Sequence, residues 1–82
     1  MRVRVVAFAR LRELLGGEAT LLRDVAEGAT AGAVWDGLAA EFPPLAELER
    51  STRLARNGNL VDRFARLSED DELALLPPYG GG

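Results

Sequence analysis

An 82-residue chain has material for one small domain with a single core, and 48% hydrophobic with 28% charged residues is a globular composition, not that of a disordered tail. With no cysteine, histidine or lysine, it offers no disulfide or thiolate, no imidazole base or imidazole metal ligand, and no side-chain amine for Schiff-base or isopeptide chemistry. All ten basic residues are arginine and the net charge is -3, which argues against a surface built to neutralise nucleic-acid phosphates.

Residues 2–8 begin by alternating charged with apolar side chains, which predicts a strand with Val3, Val5 and Ala7 on one face and Arg2 and Arg4 on the other. Val6 and Phe8 turn the second face apolar, so the far half of this strand is expected to be buried on both sides. Leu11, Leu14 and Leu15 then follow helical spacing, and Gly16-Gly17 supplies a left-handed stop. Residues 18–24 read as a second strand with Ala19, Leu21 and Arg23 opposite Thr20, Leu22 and Asp24.

The strongest periodicity is in residues 31–42, where Ala31, Val34, Trp35, Leu38, Ala39 and Phe42 form one apolar helical stripe. Thr30 is placed as its N-cap, Pro43-Pro44 as its stop, and Trp35 and Phe42 are read as core with no functional role. Gly32 and Gly37 each weaken this helix by roughly 1 kcal/mol relative to alanine, so packing must hold it. A further short turn is expected over 45–49.

Beyond it, segments 52–56 and 59–61 flank Asn57-Gly58, the dipeptide best suited to a tight hairpin turn. Residues 62–67 look irregular, with Phe64 and Leu67 as expected core anchors. Ser68 to Asp71 read as a polar turn, and the apolar run Glu72 to Leu76 as a strand buried on both faces. Asp70, Asp71 and Glu72 are adjacent acids without the spacing of a metal-ligand set, hence a solvated turn.

One amphipathic helix needs a sheet to cover, and the two most apolar strands lie at opposite ends of the sequence. Placing them side by side and parallel in the middle of the sheet buries both. The expected fold is therefore α+β, a β-grasp (ubiquitin-like) domain over residues 1–78 with a mixed four- to five-stranded sheet on one main helix. Residues 79–82 are expected to form a flexible glycine tail. No apolar run approaches the roughly 20 residues that cross a bilayer, and no opening segment reads as a signal peptide; the expected location is cytoplasmic.

Two stretches carry a resemblance to a known family. The first is Phe8-Ala9-Arg10-Leu11-Arg12-Glu13-Leu14-Leu15-Gly16; the second runs from Asn57 through Leu75-Leu76-Pro77-Pro78 to Gly82. Together, and with element lengths that agree over essentially the whole chain, they resemble the ubiquitin-like sulfur carriers, most closely the small subunit of molybdopterin synthase (the MoaD-like family). Tyr79 stands where the family more often has a small β-branched or aliphatic residue, and Gly80 where it has Ala, Ser or Thr. The position of Leu76 is often aromatic there.

The tail has a chemistry of its own. Without Cβ atoms, Gly80-Gly81-Gly82 is as thin as a polypeptide can be and fits a narrow channel. Tyr79 to Gly82 reach roughly 13 Å at about 3.3 Å per residue, and Pro77-Pro78 favours an extended exit. The resemblance implies that an ATP-dependent enzyme adenylates the Gly82 carboxylate, that sulfur replaces AMP to give a thiocarboxylate, and that this sulfur builds the dithiolene of molybdopterin. It further implies that catalytic side chains, ATP and any metal belong to partners, so that this chain binds no cofactor and is not itself an enzyme. The implied partners are the large synthase subunit, in a heterotetramer, and the adenylating enzyme; no nucleic acid or membrane is expected.

Phe8, Arg12, Leu60 and Leu76 are expected near the root of the tail, and with Pro77 and Tyr79 they match positions through which the family docks partners. Phe8, Leu60 and Leu76 are read equally well as ordinary core, and Arg12 as a local cap or i, i+4 contact. Three other functions remain open: a carrier of the same chemistry for thiamin, cysteine or tRNA thiolation, a ubiquitin-like modifier of other proteins, and a plain interaction module with an idle tail.

Overall fold

Alternation in the first segment becomes a strand, β1 (Arg2–Ala7), whose Val3, Val5 and Ala7 are buried while Arg2 and Arg4 face solvent. The computed structural model describes residues 1–78; Tyr79, Gly80, Gly81 and Gly82 lie outside the described residues. After β1 come α1 (Ala9–Leu14), β2 (Thr20–Asp24), α2 (Ala31–Glu41), a 3-10 helix (Pro43–Ser51), β3 (Arg53–Arg56), β4 (Asn59–Val61) and β5 (Glu72–Leu76). They form one five-stranded sheet in the order β2-β1-β5-β3-β4. The first and last strands are parallel neighbours, Arg4 beside Glu72 and Ala7 beside Leu75, and the other strand pairs are antiparallel. This is the β-grasp arrangement.

Side chains of period two divide the sheet into two faces. Val3, Val5 and Ala7 on β1 share one face with Leu73 and Leu75 on β5, and this face meets Val34, Trp35 and Leu38 of α2 and Leu11 of α1 in a single core. The Thr30 hydroxyl accepts the Ala33 N–H at 3.1 Å and so caps α2 as the sequence predicts. Gly32 is needed for a reason the sequence does not carry: a Cβ there would lie 2.7 Å from Nε and 2.8 Å from Cβ of Arg63.

Three expectations are corrected. Pro43-Pro44 does end α2, but the prolines then occupy the first turn of a nine-residue 3-10 helix, where a missing N–H costs nothing. That helix delivers the fully buried Leu45 to the core. Phe64 is 77% exposed and not a core anchor. The Asp62 carboxylate accepts the Phe64 N–H at 2.8 Å in a tight turn that leaves the ring outside, while Leu67 alone turns inward. Finally, the far half of β1 is not buried on both sides, since Val6 is half-buried and Phe8 is 47% exposed.

Candidate functional site: an uncovered apolar sheet face

The face opposite the helices decides where a partner can sit. The strand registers align Val6 with Ala74, Ala74 with Ala55 and Ala55 with Leu60, and also Leu76 with Arg53 and Leu22 with Arg4. All of these therefore project to the side away from α2. Ala55 and Ala74 are buried yet stand outside the core cluster, because their larger neighbours on the same face shade them. Leu60 and Leu22 are 55% and 52% exposed. Among the described residues no helix covers this face. Arg4 and Arg53 stand on this face among the apolar side chains, and exposed apolar groups gathered in this way mark an interaction site more often than chance exposure.

Three of the predicted docking residues meet here. Leu60 comes from the edge strand β4, Leu76 is half-buried at the end of β5, and Phe8 follows β1 at the same end of the sheet. They are surface, not core. Arg12 does not join them: its Nε donates to the Gly17 carbonyl at 3.0 Å, closing the Gly16-Gly17 turn where both glycines have positive φ. The local cap reading of Arg12 is the one the contact favours. Pro77 is half-buried and, with Pro78, borders a groove of about 310 Å³ against α1 and the end of the 3-10 helix. Tyr79 and the three glycines belong to the predicted site but lie outside the described residues. Sequence reasoning does not single out Leu22 as a member of this face, although the alternation over residues 18–24 already sets it opposite the core-facing Leu21.

At the other end of β5 the acidic turn is a structural clamp. Asn57 (φ 48°) and Gly58 (φ 86°) make the tight hairpin turn. The Asn57 side-chain amide donates to Asp71 at 2.9 Å, its carbonyl accepts the Glu72 N–H at 2.9 Å, and Asp71 also accepts the Ser68 N–H at 2.8 Å. The amide of Asn57, then the Ser68 N–H and then the Arg56 charge hold the Asp71 carboxyl below its ordinary range, against the opposing effect of burial. Among the described residues no cluster of three or more acidic side chains is arranged to hold a metal ion.

A five-stranded β-grasp whose apolar sheet face is left uncovered among the described residues agrees with what comparison of the sequence finds: residues 5–82 match the ThiS family. The chain belongs to the ThiS family. Members of this ThiS/MoaD group are ubiquitin-like sulfur carriers. The chain is 35% identical over 82 residues to the molybdopterin synthase sulfur carrier subunit of Arabidopsis thaliana, covering 100% of this chain and 84% of the relative. It is also 30% identical to the small archaeal modifier protein 1 of Haloferax volcanii, with a TM-score of 0.84 over 95% of this chain and 98% of that one. A Pyrococcus furiosus structure assigned to molybdopterin converting factor, subunit 1, has a TM-score of 0.86 at 23% identity over 96% and 99% of the two chains, a likeness of fold.

Proposed function

We propose that this ThiS-family protein is the sulfur-donating small subunit of a molybdopterin synthase, with Gly82 as the residue that carries sulfur. The observation that carries the reading is the 35% identity over all 82 residues to a molybdopterin synthase sulfur carrier subunit, taken together with an apolar face that reaches Leu76, three residues before Tyr79. In this reading an oxygen of the Gly82 carboxylate attacks the α-phosphorus of ATP on a partner enzyme and pyrophosphate leaves. A sulfide-level nucleophile then adds to the acyl carbon and expels AMP, which leaves a thiocarboxylate. The sulfur displaces an oxygen substituent from a carbon of the pterin precursor, and water then hydrolyses the acyl–sulfur bond, which leaves the sulfur on the pterin and returns the carboxylate.

The chain's own contribution is binding and presentation. Leu60, Leu76, Phe8 and Leu22 seat the large subunit, Pro77-Pro78 direct the tail, and Tyr79 to Gly82 thread the partner's site. Catalytic groups, ATP and any metal are the partners'. The place of work is the cytoplasm, and the assembly a heterotetramer of two small and two large subunits. Among the described residues no helix is long and apolar enough to cross a membrane.

A second reading has its own support. The 30% likeness to a small archaeal modifier protein favours attachment of Gly82 to lysines of other proteins through the same adenylate. One experiment separates the two: mix the chain with a molybdopterin synthase large subunit, and separately with an adenylating enzyme, ATP and a protein extract. A stable complex with the large subunit, lost in Leu60→Asp, supports the synthase reading. A ladder of conjugates without that complex supports the modifier.

A further inference from the structure

The uncovered sheet face is apolar at its centre and charged toward its two ends, and the ends differ. Where β1 begins, the arginines are answered: Arg2 meets Asp24 at 3.4 Å and Arg4 meets Glu72 at 3.6 Å. Arg53 opens β3 at the other end, where β5 finishes. It is exposed, and among the described residues no carboxylate lies within 4.0 Å of its guanidinium. Asp62 follows the neighbouring strand β4, but its carboxylate accepts the Phe64 N–H at 2.8 Å instead.

The register makes this arginine unavoidable for a partner. Arg53 stands directly across from Leu76, and Leu60 stands across from Ala55, the next residue of β3 on the same face. Residues opposed on adjacent strands lie about 4.5–5.5 Å apart, so a surface that covers Leu76 and Leu60 also covers Arg53. Taking a guanidinium out of water with no opposite charge is strongly unfavourable. A carboxylate that meets its planar fork through two parallel hydrogen bonds offsets the loss and fixes the orientation of the pair.

We propose that Arg53 is the specificity-determining charge of the docking face, and that the partner seated on Leu60 and Leu76 presents an Asp or Glu carboxylate to it. The inference rests on the proposed reading, in which this face seats the large synthase subunit. An apolar surface with no acid at that point buries the guanidinium unanswered, and a basic one is repelled by it. The surface that fits is apolar with an acid displaced toward the end of β5.

Calorimetric titration of the cognate large subunit with wild type, Arg53→Lys, Arg53→Ala and Arg53→Glu tests the pairing, with thermal melts to confirm that each variant folds. Arg23→Ala is the control. It also removes one positive charge, but from the helix side of the sheet, where Arg23 pairs with Glu41 at 2.9 Å. The expected order of affinity is wild type, Lys, Ala, Glu, with Kd at least about tenfold weaker for Arg53→Ala and within about twofold of wild type for Arg23→Ala. Arg53→Ala binding as tightly as wild type, or more tightly, overturns the proposal, because the guanidinium then meets no acid. Equal weakening by Arg53→Ala and Arg23→Ala overturns it too, since net charge alone accounts for the loss. A large subunit that binds no wild-type chain defeats the synthase reading and this inference with it. A complex that Leu60→Asp abolishes and Arg53→Glu leaves intact removes this inference alone.

Discussion

Gly32 and Gly37 sit five residues apart in α2, and replacing each with alanine should move stability in opposite directions. Gly37 is exposed, and a Cβ added there would meet nothing within 4 Å, so alanine adds helix propensity and stabilises by up to about 1 kcal/mol. Gly32 is buried, and its new Cβ would meet Arg63 at Nε, Cβ and the backbone carbonyl, at 2.7, 2.8 and 2.9 Å. The side chain of Arg63 can swing away, but its carbonyl cannot, because it accepts the Gly32 N–H at 2.8 Å. Overpacking of this kind costs about 1–3 kcal/mol, and the first helical turn returns less than the full propensity gain. The net expectation for Gly32→Ala is a loss of about 1–2 kcal/mol. At about 4–8 °C per kcal/mol for a domain of this size, its melting point should fall by roughly 4–16 °C while that of Gly37→Ala rises. Thermal and urea unfolding followed by circular dichroism measure both. If Gly32→Ala proves as stable as Gly37→Ala, the close approach of the 62–63 segment to α2 is wrong.

Two further outcomes are expected. The Asp71 carboxyl is held below its ordinary value of 3.8 in the folded chain, chiefly by the Asn57 amide. Its stabilising effect is therefore fully present above that value and lost as pH falls through the lowered folded pKa. Urea unfolding from pH 7 down to pH 2 should show wild type more stable than Asp71→Asn near neutrality, with the gap closing at acid pH; a gap that does not change with pH would contradict the clamp. Deleting Gly81 and Gly82 should abolish sulfur loading and leave the thermal transition where it is, and a large drop in melting point would place the tail in the core instead.

Much of the fold is legible in the sequence because period tells strand from helix. Val3, Val5 and Ala7 announce β1, the Ala31 to Leu38 stripe announces α2, and two apolar strands at opposite ends of the chain require a parallel pair in the centre. What stays hidden is set by contacts distant in sequence. Phe64 has the composition of a core residue, but a hydrogen bond from its own N–H to Asp62 turns it out. The Asn57 to Asp71 clamp links residues whose proximity only the sheet creates. Leu60 is ambiguous between core and surface because its role depends on which side of the sheet α2 covers. Arg12 matches a family position, yet its geometry ties it to Gly17. The 3-10 helix reads as a mere turn because two prolines signal a stop, although they serve equally well as a start.

The central functional claim is that Gly82 receives sulfur. Intact-mass measurement of the chain after incubation with its adenylating enzyme, ATP and a sulfur source tests this most directly. The predicted result is replacement of one oxygen by sulfur, localised to Gly82 by fragmentation and absent without ATP. A mass left unchanged while a known carrier in the same reaction is converted would contradict it.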